Sequence, residues 1–243
     1  MRVAMITEGT YPFVHGGVST WCDKLIRKLP EIEFDLYAIS PGVGSEATWE
    51  LPGNVTSLVP IELSVPRGRG YDWYGPTIQR RFMEAFDALI TSVLEEPEPR
   101  GDEFIGALRS LHEIGDELPL DVGAHSEPAF QLVLDRWTAR DVGDRVDQMG
   151  PPSLHDVLDV TSALARYLMP LMAVPEADIA HTTANGLTSL SAFAAKWRHG
   201  TPILLTEHGI YLRERFIEAY KSDAQDRVKA FNLLFFRNLN DAT

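Results

Sequence analysis

A strand, a glycine-bearing loop and a helix follow one another directly from residue 1. Val3-Ala4-Met5-Ile6 is an apolar run of β-formers, the pattern of a buried strand. It opens into Thr7 to Trp21, TEGTYPFVHGGVSTW. From Val18 onward, Trp21, Leu25, Ile26 and Leu29 recur at helical spacing and form one apolar stripe. Pro30 ends that helix, because its ring removes a donor and disfavours α geometry in the residue before it. The order has chemical content. Gly16 and Gly17 carry no Cβ, so backbone can turn sharply and come close to a ligand. The free N–H groups of the helix's first turn, with the positive end of the helix dipole behind them, favour an anion such as a phosphate. A Gly-Gly pair that only makes a tight turn for packing is the competing explanation.

A second stretch repeats this local grammar. Residues 203 to 211, ILLTEHGIY, echo residues 5 to 11, MITEGTY: an apolar strand, then Thr-Glu, glycine and tyrosine. In an open parallel sheet all strands deliver their C-terminal ends to one rim, where ligands bind in a crevice. Two polar strand ends from opposite ends of the chain are therefore expected to meet there.

Composition narrows the partners. A formal charge of −13 over 243 residues argues against nucleic acid or an anionic membrane surface. It does not argue against a phosphorylated ligand, which a local nest of N–H groups can hold inside an acidic protein. Hydrophobic residues make up 44%, enough for a real core. The single cysteine, Cys22, lies among apolar helix positions, excludes an internal disulfide and reads as a buried thiol in a reducing compartment. The N-terminal apolar run is too short for a signal peptide, and no stretch approaches the roughly 18 apolar residues of a membrane span. The expectation is a soluble, cytoplasmic protein with no integral membrane segment. Asn54-Val55-Thr56 matches a glycosylation sequon that has no use without secretion.

Phe34 to Ser40 and Asn54 to Leu63 read as the second and third strands. Gly42-Val43-Gly44 with Ala47 spells a G-x-G-x-x-A fingerprint, but Trp49, Leu51 and Pro52 interrupt the place where its helix should begin. Pro66 to Gly70 is a loop. Residues 71–150 leave the strand–helix rhythm and read as a helical insertion. Phe82, Phe86, Leu89 and Val93 form one stripe, a Pro- and acid-rich turn spans Glu95 to Asp102, and helices follow around Phe104 to Leu111 and Ser126 to Arg140. Ser153 with Asp156 makes a capping box that opens the next helix. Asp178 to His181 is a strand, Gly186 to His199 a helix stopped by Gly200, and Ile203 to Thr206 a strand. Strands alternating with helices at both ends predict an α/β, doubly wound, Rossmann-like parallel sheet. The last helix carries Val228, Phe231, Leu233, Leu234, Phe235, Phe236 and Leu239, too many for one face. It is expected either to be fully buried or to meet something outside this chain, which suggests a domain boundary near Thr243.

TEGTYPFVHGGVSTW, DIAHTTANG at 178–186 and LLTEHGIYLRER together resemble the amino-terminal half of GT-B glycosyltransferases of family 4, in the PelF-like branch that makes exopolysaccharide. The likeness covers the two ends of the chain well and the insertion loosely. It implies that residues 1–243 form the acceptor-side domain of a retaining enzyme. That enzyme would transfer a hexose from a nucleotide-sugar, a UDP-sugar, to a glycan acceptor. It implies that Gly16, Gly17 and Val18 close over the donor diphosphate and that His208 lies near the donor sugar. It implies also a carboxy-terminal Rossmann domain, absent from this chain, that holds most of the donor through a basic pair and an E-x7-E motif. The chain's own E-x7-E, Glu95 to Glu103, falls in the acidic turn and is attributed to chance. No cofactor or metal is expected, since the nucleotide-sugar is a substrate. The fragment alone is expected to be inactive.

Each candidate has a structural alternative. His208 is either a satisfied core imidazole or a hydrogen-bonding partner of a sugar hydroxyl, and its place between Glu207 and Gly209 at a strand end favours the second. Glu207 joins it as a catalytic candidate, and Glu8 faces it from the other strand end with an unknown separation. Tyr11, His15, His181, Asn185 and Tyr211 complete the rim. Arg213 and Arg215 could clamp a phosphate or carboxylate, or merely pair with Glu214 or Glu218. Two rivals remain. A zinc site could form from His15, His181 and His208 with Glu8 or Glu207, though no metal-binding motif supports it. A non-catalytic module could bind a glycan or a partner in the same crevice.

Overall fold

The computed structural model describes residues 1–40, 44, 46–63, 70–94, 101–139 and 150–243. The chain divides into two compact units, Met1–Ser64 with Met169–Tyr211, and Val65–Leu168 with Leu212–Thr243.

The first unit is a sheet unit. Its strands are β1 (Arg2–Glu8), β2 (Glu33–Ile39), β3 (Val55–Ile61), β4 (Ile179–Thr182) and β5 (Ile203–Leu205). All pair in parallel in the order β3-β2-β1-β4-β5. The helices α1 (Gly17–Lys28) and, in the same unit, Leu187–His199 cover opposite faces. Val3 and Met5 of β1 pack with Phe34 and Leu36 of β2 against Cys22 and Ile26 of α1. On the other face Ile6 and Ala180 meet Ala192 and Ala195 of the Leu187–His199 helix. Alternate residues of one strand thus enter two cores, which is why β1 is apolar throughout instead of alternating. The expected α/β, doubly wound, Rossmann-like sheet is the one observed.

Element ends follow their local chemistry. Gly200 stops the Leu187–His199 helix in the left-handed conformation, φ 73°. Cys22 is buried, and desolvation pushes its thiol up to about 12, so it is an inert core side chain. Asn54 of the sequon is structural: its Nδ2 donates to the carbonyls of Ile26, Leu29 and Ile32, each at 3.0 Å. These carbonyls lie at and just beyond the end of α1, where those of Ile26 and Leu29 also accept the N–H groups of Leu29 and Ile32. Asn54→Leu is expected to destabilise the sheet unit by about 2 kcal/mol, because it strips several partly buried acceptors of one donor. Chemical denaturation checks it, and a change below about 0.5 kcal/mol, the scale of ordinary surface substitutions, would show the amide to be dispensable.

The second unit is helical. It contains α2 (Pro76–Leu94), α3 (Gly101–Gly115), α4 (Leu120–Ala124), α5 (Glu127–Thr138) and α6 (Leu154–Tyr167). After the sheet unit's helix α7 (Leu187–His199), the chain returns through α8 (Tyr211–Lys221), from Leu212 on, and α9 (Asp226–Asp241). The helical unit therefore takes in α6, α8 and α9 beyond the stretch 71–150. Phe82, Phe86, Leu89 and Val93 are all buried, and Phe82 stacks on Phe86. In α5 Ala129, Val133 and Trp137 are buried while Phe130 is half-buried. The expected helix at Phe104 to Leu111 runs longer on both sides. α4 was not expected from the sequence.

The apolar excess of α9 has an explanation within its unit. Phe231 meets Trp137, Phe235 meets Phe104 and Tyr167, and Phe236 meets Tyr167. Leu233 and Leu234 are half-buried, and Asp226 and Asp241 at the two ends of the helix are exposed.

Residues 46–54 contain no helix, in line with rejecting the G-x-G-x-x-A match; Pro41-Gly42-Val43 and Ser45 lie outside the described residues. So do most of the 66–70 loop, Glu95 to Arg100 of the acidic turn, and Arg140. No described helix is long and apolar enough to cross a membrane.

Candidate functional site

With β1 leading to β2 on one side and β4 to β5 on the other, the strand order reverses between β1 and β4. Loops leaving the C-terminal ends there diverge and open a crevice. Gly9 turns the chain out of β1 with φ 59°, a conformation that favours glycine.

The two echoing strand ends do meet. The Tyr211 hydroxyl lies 3.1 and 3.2 Å from the two carboxylate oxygens of Glu8. The Tyr211 ring is 5% exposed and lies over Gly186, where a Cβ would come 2.1 Å from Cζ. Gly186 is thus glycine because a ring occupies the place of its side chain. Glu207 ties the same corner. Its Oε2 accepts the Asn185 N–H at 2.7 Å, and its Oε1 accepts the Tyr211 N–H, the first of α8, at 2.9 Å. A carboxylate at a helix start is favoured by the dipole as well as by the bond. Both its oxygens are therefore engaged by backbone, which gives Glu207 a positioning role between the β4 loop and Tyr211.

Trp21, one turn into α1, brings the glycine loop to this corner. Its ring stands edge-on to His208 at 4.4 Å and to His181 at 5.8 Å. His208 is exposed, whereas His181 is 5% exposed with Nε2 2.8 Å from the Thr206 hydroxyl. Burial first, and the neighbouring His208 second, hold the His181 pKa below its ordinary value. Between the folded pKa and about 6.5 the unfolded chain binds this proton and the folded chain does not. Stability should therefore rise with pH through that window and level off above it. His181→Gln is expected to flatten that part of the pH profile, measured by urea melts from pH 5 to 8. An unchanged slope would remove His181 as its source.

At the loop itself, Gly16 is the N-cap of α1 in extended conformation, and no side chain caps this helix. A Cβ at Gly16 or Gly17 would meet nothing within 4 Å, so neither is required by packing. Val18 is half-buried against the α1 core.

The remaining candidates separate. Tyr11 does not reach the rim: it is fully buried beneath α1, with its hydroxyl toward Asp23 and its ring edge-on to Trp49. His15 is exposed and lies against Trp49, whereas His181 and His208 share Trp21. The described residues contain no cluster of three metal-ligating groups, so the zinc rival's histidines are not assembled. Arg213 and Arg215 fall in the helical unit. Arg213 is exposed; Arg215 pairs with Glu218 at 2.9 Å and lies over the Phe236 ring, the intrahelical alternative to a rim clamp.

A family model described as Domain of unknown function (DUF3492) matches residues 1–243. The chain belongs to the DUF3492 family. Searches of curated proteins and of solved structures found no match. In this DUF3492 domain the rim also uses residues that sequence reasoning did not single out as site residues. Trp21 reads as one more apolar helix position, and its signal is only that a Trp falls one turn after the glycines. Thr206 is visible as the strand-end threonine of TEHG but has no partner until the fold sets β4 beside β5. Gly186 shows its role only once Tyr211 is placed.

Proposed function

We propose that this domain is the amino-terminal half of a GT-B glycosyltransferase of family 4, in the PelF-like branch. It would move a hexose, with retention, from a UDP-sugar to a glycan or exopolysaccharide acceptor. DUF3492 domains are typically the amino-terminal part of GT-B glycosyltransferases. One observation carries the reading: Trp21, on the helix that starts at Gly17, touches His208 at the C-terminal rim of the sheet. The two features that the resemblance assigns to the donor are thereby neighbours.

In this reading the N–H groups at Gly16, Gly17 and Val18 face the donor diphosphate, where an uncapped helix start favours negative charge. His208 hydrogen-bonds a hydroxyl of the transferred sugar. Glu207 acts through Asn185 and α8 and is not the group that meets the substrate. Glu8 and Tyr211 line the rim beside them. The larger share of the nucleotide is held by a second Rossmann domain, and the reaction takes place in the cytoplasm without a metal.

The test uses the natural full-length product that contains this domain, with UDP-hexoses in calorimetry and in donor-hydrolysis assays. His208→Ala should lower turnover by about a hundredfold, as expected for a group aimed at the reacting sugar, with an unchanged melting temperature. Gly16→Ala should lower turnover while stability is kept, because open space receives the methyl group. A full-length product that binds glycans yet neither binds nor hydrolyses any UDP-hexose would replace this reading with a non-catalytic binding module.

A further inference from the structure

The helical unit has a cavity of its own, about 200 Å³, between α8 and α9 with Tyr167 of α6 at its edge. Two cations line it in a chain whose formal charge is −13. The side chains of Arg215 and Lys229 are 24% and 21% exposed, while their partners Glu218 and Asp226 are 61% and 99% exposed. Both cations are mostly buried and their carboxylate partners are more exposed to water, where an ion pair holds weakly, although Glu218 also lines the cavity beside Arg215. An incoming anion has to displace the Glu218 carboxylate from the Arg215 guanidinium. The Arg215 guanidinium sits 5.5 Å over the Phe236 ring, which fixes the plane of its fork.

Two further features restrict the ligand. Asn232 lines the same cavity, and its Oδ1 is buried with no hydrogen-bond partner among the described residues. A buried acceptor of this kind asks for a donor, which a carboxylate lacks and a sugar hydroxyl supplies. Phe236 is buried beneath Arg215 and Tyr167, and the half-buried Tyr167 ring at the cavity edge offers apolar surface to the C–H face of a pyranose. The volume falls below the roughly 300 Å³ at which drug-sized pockets begin, so one sugar ring fits and a sugar nucleotide does not.

We infer that this cavity binds a small anionic sugar, with its phosphate or carboxylate on Arg215 and Lys229 and a hydroxyl donating to Asn232. The site lies within the helical unit and does not depend on the donor reading given to the sheet rim.

Calorimetry on the 243-residue chain tests it with four probes: glucose 6-phosphate, glucuronate, glucose and inorganic phosphate. Glucose 6-phosphate or glucuronate should bind about tenfold or more tighter than glucose and inorganic phosphate, the effect of one charge-assisted contact plus one hydroxyl bond. Which of the two is preferred assigns the ligand as a sugar phosphate or a sugar acid. Arg215→Met and Lys229→Met should each weaken that binding about tenfold, and Asn232→Leu should abolish the advantage over inorganic phosphate. Arg215→Lys, which keeps the charge and the fold but loses the fork, should also weaken it. The inference fails if neither anionic sugar binds better than glucose. It fails equally if inorganic phosphate matches glucose 6-phosphate, or if folded Arg215→Lys and Lys229→Met bind as the parent does.

Discussion

Gly186→Ala is expected to cost the sheet unit about 3 kcal/mol, from overpacking of one to a few kcal/mol together with the hydrogen bonds it disturbs. The new Cβ would stand 2.1 Å from Cζ of Tyr211, 2.3 Å from Cε2 and 2.6 Å from the hydroxyl. Real carbon contacts do not come so close, so the ring or the backbone has to move. The ring cannot move freely. It is 5% exposed, its N–H is held by Glu207 and its hydroxyl lies on the Glu8 carboxylate. Any shift that clears the methyl group lengthens one of these bonds and carries the start of α8 with it. Tyr211→Phe removes only the hydroxyl and should cost less, about 1–2 kcal/mol for a bond to a carboxylate. The combination of Gly186→Ala with Tyr211→Ala returns the space, so its cost should fall short of the summed single costs by more than about 0.5 kcal/mol. Urea denaturation of the parent, Gly186→Ala, Tyr211→Ala and the double variant measures this. Strict additivity would mean that the clash is relieved elsewhere and that Tyr211 is not what makes residue 186 a glycine.

The contrast with Gly16 and Gly17 shows what the sequence can and cannot carry. All three glycines look alike in one dimension, yet only Gly186 is required by a neighbour within the protein. The strand–loop–helix opening was legible because β1 feeds two cores, and a strand buried on both faces is apolar at every position. The meeting of residues 8 and 211 was legible because Glu8 ends β1 and Tyr211 follows the loop that leaves β5, and a parallel sheet gathers those ends at one rim. Tyr11 was misplaced for a related reason. It follows a strand end as Tyr211 does, but Gly9 turns it under α1, and a turn's direction is not written in residue types. The role of Glu207 was hidden because its partners are backbone N–H groups, which every residue but proline carries. The extent of the helical unit was hidden because α6, α8 and α9 belong to it through contacts across long separations in the chain.

Asp156→Ala is expected to destabilise the helical unit by about 2–3 kcal/mol, the combined scale of a lost helix cap, the hydrogen bonds of a buried carboxylate and a half-exposed ion pair. Asp156 is 1% exposed, and its Oδ2 accepts the Ser153 N–H and hydroxyl, both at 2.8 Å, while the Ser153 hydroxyl in turn accepts the Asp156 N–H. The capping box expected from the sequence is therefore formed. The Arg227 guanidinium of α9 adds a contact at 3.6 Å, so one carboxylate starts α6 and ties it to α9. Burial acts to raise the pKa of this carboxyl, but the Ser153 bonds and Arg227 outweigh it and hold the group below its ordinary value. The sign follows. Above about pH 3.9, where the unfolded carboxyl is ionised, the stabilisation is complete. As pH falls toward the lower folded pKa, the unfolded chain takes up the proton first and the stabilisation drains away. Asp156→Asn keeps the shape and loses the charge, so its deficit against the parent should be largest at neutral pH and shrink below about pH 4. Ser153→Ala should give a smaller deficit, about 1 kcal/mol, because Arg227 remains. A deficit for Asp156→Asn that is the same at pH 7 and pH 3 would show that the carboxylate's charge contributes nothing to holding α6 and α9 together.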